Sequence, residues 1–488
     1  MNAQDPALAP APGIPLEQRT EQTGDKPQGE ISTFGWDTAF AVRIENVNAA
    51  IKARKASPTS FSYQNPEDSK ITCAGTFGDW QIVRGGDGGG VNVMLPISDV
   101  KGVAKGGSGY TPYTWSGGSM TFTIRLHFFD AGDTKRHLRV QPTAGGPSEP
   151  VVQYFGGDYS QPLDPPWTMY AMQAAVTAWC KEHLADFAYI FSIADLNDSA
   201  DKKAWAFLKP TTLSYSYVDG ETEHDAFLGV LAMTQGESAG NLQQVIDKRI
   251  VQGDEEGAFC ISRDLLLKRL ILPNLQQLWT NLKTDQVTFG EQGFQLKANE
   301  SVDLPQTTYQ GNQYTPQLKR FSFVIEGPQI TLEAYTETQV QSGVTAWCQT
   351  TNHYTIKKGT NSKGETTLAY AKLPSPPASH GHHIATWVKI TDDLLALVLG
   401  IALAALAILT GGAAVPVIAV LGALLVGLIA LSPTISGMIE NNDAPAINLL
   451  QDNISNPMVW TDSKDFQIDV VDLDGAIRLG GSLGFGSA

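Results

Sequence analysis

The sequence predicts an α+β protein: largely antiparallel β-sheet, long amphipathic helices, and an apolar helical hairpin near the C-terminus. Three observations predict it. Alternating apolar runs follow one another in series, joined by turn residues, which is the pattern of antiparallel sheet. Segments with apolar residues at helical spacing interrupt that series. The stretch from Leu394 to Leu431 carries no charged residue at all.

Residues 1–31 are rich in Pro, Gln, Glu and Gly, and are expected to be a disordered lead. They lack a basic start followed by an apolar core, so no Sec signal is read. The expectation is a soluble chain, cytoplasmic on synthesis, released by lysis or a non-Sec route. In "STFGWDTAFAVRIENVNAAIK", Phe40, Ile44, Val47 and Ile51 fall at helical spacing, and Asp37 can cap the first turn. "DWQIVRGGDGGGVNVMLPIS" reads as strand, glycine turn, strand. "SMTFTIRLHFFD" has the clearest alternation, with Met120, Phe122, Ile124, Leu126 and Phe128 on one face. "TKRHLRVQP" is its hairpin partner across "DAGD".

The helix expected in "PPWTMYAMQAAVTAWCKEHLADF" begins after Pro165–Pro166. Two strands flank a polar loop in "TTLSYSYVDGETEHDAFLGVLAMT". A second long amphipathic helix, "SRDLLLKRLILPNLQQLWTNL", should kink near Pro273. Strands resume in "RFSFVIEG", "QITLEAYTETQV", "NHYTIKKG" and "TTLAYAKL". "PSPPASHGHH" reads as a linker, and "FQIDVVDLDGAIRLGG" as a final hairpin. "VTAWC" occurs at Val176–Cys180 and again at Val344–Cys348, with unmatched flanks, so it marks no repeat.

Composition excludes some functions. With 34 Lys and Arg against 50 Asp and Glu, the formal charge is −16, which opposes binding to a nucleic-acid backbone. The same charge would repel anionic membranes from any acidic face. Cys73, Cys180, Cys260 and Cys348 are isolated and form no CxxC, so four reduced, buried thiols are expected.

At "TFGWDTAF" and "GTFGDWQIVRGGDGGGVNVMLPI" the sequence resembles a known family. The residues concerned are Gly35-Trp36-Asp37, Trp80 with Ile82, and the glycine turn before Asn92; "YVDGETEHDAFLGVLAMT" is similar too. The family is that of the clostridial forty-seven-kilodalton proteins encoded beside OrfX proteins in neurotoxin gene clusters. It is assigned to the tubular lipid-binding (TULIP) superfamily. The resemblance implies long helices wrapped by highly curved antiparallel sheet around an apolar groove. It also implies a lipid or other hydrophobic ligand and a role beside toxins. A helix followed by alternating strands agrees with a helix lying in a concave sheet. The expected organisation is a lead (1–31), a first module (32–250), a second (251–385), the apolar hairpin (386–445) and returning strands (446–488).

Several motifs invite chemistry. "GESAG", Gly236–Gly240, matches a G-x-S-x-G elbow with Ser238 as nucleophile, which makes a serine esterase a minor alternative. Antiparallel strands in series are the wrong setting, and His353 or His383 could serve only by elimination. His380, His382 and His383 are close enough to suggest a metal, but have no acidic or Cys partner at ligand spacing; a solvated loop is the plainer reading. A pH-sensitive hinge there would rest on imidazoles charging below about pH 6.5. "GGDGGG" lacks the Lys-Ser/Thr of a phosphate loop. No metal, no cofactor and no enzymatic activity are therefore expected.

The uncharged stretch divides at Gly411-Gly412. At 1.5 Å per residue each arm spans roughly 26–29 Å, near the ~30 Å hydrocarbon core. Gly400, Ala404, Gly422, Ala423 and Gly427 would let two helices approach closely. A permanent two-span anchor, a buried hairpin and a conditionally released hairpin compete. Membrane contact would use Leu394, Leu399, Leu406, Leu409, Val417, Leu421, Leu425 and Leu431.

The expected function is non-enzymatic binding of a lipid or other hydrophobic ligand in an apolar groove lined by Phe40, Ile44, Val47, Ile51, Phe122, Ile124, Leu126 and Phe128. Burial would supply roughly 0.8 kcal/mol per CH₂. The competing reading is an interaction or toxin-complex subunit without lipid carriage, bound to a cluster-encoded partner.

Overall fold

In a computed structural model the alternating runs become long antiparallel strands. It describes residues 29–107, 109–132, 134–142, 151–159, 161, 163, 165–195, 206–411, 415–426, 433–455 and 457–485. The chain divides into two units. One is built on Ser32–Cys260, with Gln451–Asp469 and residues from Leu479 on; the other is built on Ile261–Leu450, with Val470–Arg478 and residues up to Ile31.

In the Ser32–Cys260 unit the dominant hairpin pairs Gly90–Gly106 with Gly109–Ile124, in register from Val91 opposite Ile124 to Gly106 opposite Gly109. Thr72–Phe77 and Ser60–Gln64 extend it on one side and Val152–Asp158 on the other; Gln81–Asp87 also pairs with Gly90–Gly106. Alternation puts Val91, Val93, Leu95, Ile97, Met120, Phe122 and Ile124 inward, and all are buried. Helix Thr168–Glu182 covers this face with Met172, Val176, Trp179 and Cys180. The Phe77 and Trp179 rings lie 5.1 Å apart. Burial of such side chains contributes roughly 1.5–3 kcal/mol each.

Arg125 breaks the long alternation. Beyond it, Leu126–Asp130 leaves the first sheet and pairs with Lys135–Val140, as the "DAGD" turn predicts. A further layer is centred on Phe227–Thr234, whose eight residues are all buried. It lies between Pro210–Val218 and Thr38–Arg43.

That last strand corrects an expectation. Helix Ile44–Arg54 begins six residues later than its periodicity suggests, and Phe40 lies in the strand before it. All six residues of Thr38–Arg43 are buried, so no alternation marks them as a strand. Asp37 caps no helix: its carboxylate accepts from Thr234 N and Oγ1, both at 2.8 Å.

In the Ile261–Leu450 unit, Gln317–Glu326, Gln329–Gln341 and Val344–Thr360 form a meander. The other edge of Val344–Thr360 pairs first with Ser379–Ile384 and then with Thr366–Leu373. The histidine-rich segment is thus an edge strand, not a linker; its backbone groups gain partners along Val344–Gln349. The helix expected around Pro273 is interrupted, but by a π-helical segment Leu266–Ile271 between Arg263–Leu265 and Leu272–Leu278. A widened turn just before a proline relieves its clash with the preceding turn.

The lead also ends earlier than expected. Glu30 pairs with Arg263 at 2.5 Å and accepts from Gly327 N at 2.6 Å, while Ile31 N donates to Asp474 O at 2.9 Å. Residues 1–28 lie outside the described residues. The four cysteines are free and buried; burial pushes the Cys73 thiol up to about 11 and that of Cys180 up to about 12. Apart from Thr168–Glu182 (15 residues) and Asp392–Gly411 (20 residues) the described helices are short, and the architecture is mostly antiparallel sheet with few helices.

Candidate functional site

The uncharged stretch folds as helices Asp392–Gly411 and Val415–Val426. The first is started by Thr391, whose Oγ1 accepts from Leu394 N at 3.2 Å. Asp392 and Asp393 occupy the positive end of the helix dipole. Leu394, Val398, Ile401, Ala402, Ala405 and Leu409 are buried, and the first four pack with Val344 and Ala346. The opposite face is open: Ala396, Leu399, Leu403 and Ala407 are exposed, at i, i+3, i+7 and i+11. Leu399 is 48% and Leu403 46% exposed. Just before the helix, Trp387 is 70% and Ile390 59% exposed. Trp387 lies over the tight turn at Gly343, where an added Cβ would come 2.5 Å from its ring.

These positions divide the predicted membrane residues. Leu394 and Leu409 face the core, Leu406 is half-buried and Leu399 is exposed. In the second helix Val417, Leu421 and Leu425 are fully buried. Leu431 lies outside the described residues. The expectation of two arms packed on each other is corrected, because the arms have different partners. The first lies on Val344–Thr360 and Ser379–Ile384; the second lies against Leu266–Ile271 and Thr366–Leu373. Gly400 seats a tyrosine rather than a helix: a Cβ there would come 2.0 Å from Tyr309 Cζ. Among the described residues one helix, Asp392–Leu409, is long and apolar enough to cross a membrane, and 39% of it is buried.

The predicted groove residues are core. Phe40, Ile44, Val47, Ile51, Phe122, Ile124 and Leu126 are buried, and Phe128 is half-buried. Phe40 packs edge-on to Phe259 and Phe466. Phe122 and Ile124 meet Cys180 and Phe187 around a cavity of only about 10 Å³.

Ser238 follows the Phe227–Thr234 strand, but residues 241–250 continue as turns and bends where an elbow requires a helix. Its Oγ accepts from Gly240 N at 3.1 Å within the same turn. His353 contacts Gln329 and Thr331, and the His383 ring stacks on Trp347. Among the described residues no His, Cys, Asp and Glu group is arranged to hold a metal.

Sequence reasoning missed Trp387 and Ile390. The available signal was a tryptophan flanking an apolar span, the usual mark of a water–lipid interface.

Comparison with known proteins fits this architecture. The OrfX-like family model, described as Protein OrfX2/OrfX3/P47, matches residues 33–481. The chain is 31% identical to Protein OrfX3 of Paraclostridium bifermentans over 93% of its length and 99% of that protein. It is 28% identical to Protein OrfX3 of Clostridium botulinum (strain Kyoto / Type A2), over 93% and 99%. The solved structure of P47 from Clostridium botulinum A2 has the same fold, with a TM-score of 0.62 over 94% of this chain and 99% of that one, at 17% identity.

Proposed function

The chain belongs to the OrfX2/OrfX3/P47 family of toxin-cluster accessory proteins, and from that premise we propose that it is a non-enzymatic accessory that works at a lipid surface through the open face of Asp392–Gly411. One observation carries this reading: Trp387, Ile390, Leu399 and Leu403 are exposed beside a run that holds no charge from Leu394 to Leu431.

Magnitudes decide what kind of contact follows. Removing four half-exposed apolar side chains from water contributes about 4 kcal/mol, which corresponds to roughly millimolar affinity. The open face alone therefore gives weak, reversible adsorption. Deep insertion would require Val398, Ile401, Ala405 and Leu409 to leave the core, and their burial opposes it. The formal charge of −16 favours zwitterionic over anionic lipid.

Carriage of a lipid inside the protein is a second reading, supported by the family resemblance. It would draw on the apolar interior that includes Phe122 and Ile124, closed in this conformation to about 10 Å³. An acyl chain would enter only if helix Thr168–Glu182 lifted from the sheet. Lipid extracted from gently purified protein would favour carriage. A clean protein that binds a cluster-encoded partner would favour the interaction-subunit reading instead.

Flotation with phosphatidylcholine vesicles tests the surface reading. The wild-type chain should float and the Trp387→Ser, Leu399→Ser, Leu403→Ser triple variant should not. Equal flotation of both would remove the open face from the mechanism.

A further inference from the structure

We propose that the Ser32–Cys260 unit carries a saccharide-binding cleft walled by the glycine turn Gly85–Gly90. Two cavities, about 370 Å³ and 260 Å³, share Arg125 and Gln244 in their walls. Their combined size is in the range of small-molecule sites. Into the larger one come Asp87, Thr123, Arg125, Gln153 and Gln244.

The walls are fixed rather than loose. Tyr215 Oη donates to Gly89 O at 2.6 Å and accepts from Leu126 N at 2.9 Å. Tyr217 N donates to Gly88 O at 2.7 Å, and Gly85 N to Asp219 Oδ1 at 2.9 Å. Behind the cleft, the fully buried Asn92 accepts from Thr123 Oγ1 at 2.7 Å. Gln244 Nε2 is held by Ser214 Oγ at 2.9 Å. Glycine is needed for this close approach at Gly86, where a Cβ would lie 2.5 Å from Gly90 O.

The chemistry of the walls selects the ligand class. One guanidinium, one carboxylate and two primary amides face the larger cavity. A polyanion wants several cations, and a metal ion wants several carboxylates. Flat forks of donors and acceptors match vicinal hydroxyls, each of which both donates and accepts. An aromatic ring stands beside them. Phe155 follows Gln153 by two positions on the same strand, is 58% exposed, and lies against Gly85, where an added Cβ would come 3.2 Å from its ring. Phe155 sits at a bulge of that strand, between Tyr154 opposite Phe122 and Gly156 opposite Thr121, and its ring against Gly85 places it beside the glycine turn, so Phe155 can cover the C–H face of a sugar ring while the amides hold its edge.

An array of neutral and acidic oligosaccharides, probed with the fluorescently labelled full chain and followed by titration of the strongest binder, tests the proposal. Asp87→Ala, Gln153→Ala and Phe155→Ala alter exposed side chains. Each should weaken binding roughly tenfold with unchanged circular dichroism, and Phe155→Trp should retain binding. Three results would overturn it: silence across the array at millimolar oligosaccharide, equal binding by the three alanine variants, or complete displacement by inorganic sulfate alone.

Discussion

Arg43 is 3% exposed, at the junction between strand Thr38–Arg43 and helix Ile44–Arg54. Its Nε donates to Glu255 O at 2.5 Å, and its two terminal nitrogens donate to the carbonyls of His224 and Gly253. Burial lowers its pKa, and Glu45 and Asp225 pull the other way. Removing this guanidinium takes a donor from three carbonyls, of which Gly253 O keeps His224 Nε2 at 3.2 Å. Arg43→Met should cost about 2–5 kcal/mol, read as a lower denaturant midpoint; an unmoved midpoint would contradict the role. Asp247 is a second buried charge. Burial raises its pKa, but Arg249, at 2.7 and 2.9 Å, and the N–H groups of Arg249 and Ser32 outweigh that and hold it below the usual carboxylate range. A depressed folded pKa adds stability above the unfolded value of about 3.9, and loses it as pH falls through the folded value. Asp247→Asn should therefore be less stable than wild type at neutral pH, and the gap should close as pH falls below the unfolded carboxylate value and through the lower folded one. A gap that is constant with pH would show that the carboxylate charge contributes nothing.

Among elements, the repeated pentapeptide is instructive. VTAWC is helical at Val176–Cys180 and strand at Val344–Cys348. In the helix Val176, Trp179 and Cys180 share the buried face; in the strand Val344, Ala346 and Cys348 do. Propensity is identical, so the flanking pattern decides which spacing finds a partner. This is also why parts of the fold were legible and others not. "SMTFTI" and the helix after Pro166 are strand and helix where their periods put them, but the alternation read on through Phe128 is split at Arg125 into strands of two sheets. Thr38–Arg43 is buried on both faces, which erases alternation, and Ser379–Ile384 is an edge strand of polar residues. The uncharged helices were legible as helices, but their single open face was not: sequence cannot say which side of an all-apolar helix meets the core. Gly400 tests that packing. Gly400→Ala places a methyl against Tyr309 and should cost about 1–3 kcal/mol. Tyr309→Ala in the same chain should relieve much of it, as a coupling above about 0.5 kcal/mol. Strict additivity would contradict the contact.

At the scale of the whole molecule, an acidic chain carries no charge from Leu394 to Leu431, and one helix of that run is only partly covered. The acidic balance keeps the protein soluble and away from anionic surfaces. In the proposed surface contact the open face would supply an attraction that does not depend on charge, weak enough to be reversible. High salt should therefore leave vesicle association unchanged or slightly stronger, whereas attraction by basic residues would be screened.

The most direct test uses Trp387, which should enter the interfacial region of the bilayer. Vesicles of brominated phosphatidylcholine should quench the fluorescence of the wild-type chain, and Trp387→Phe should lose that quenching while keeping its fold. Quenching that is equal in both chains, or missing from both, would contradict contact through this face.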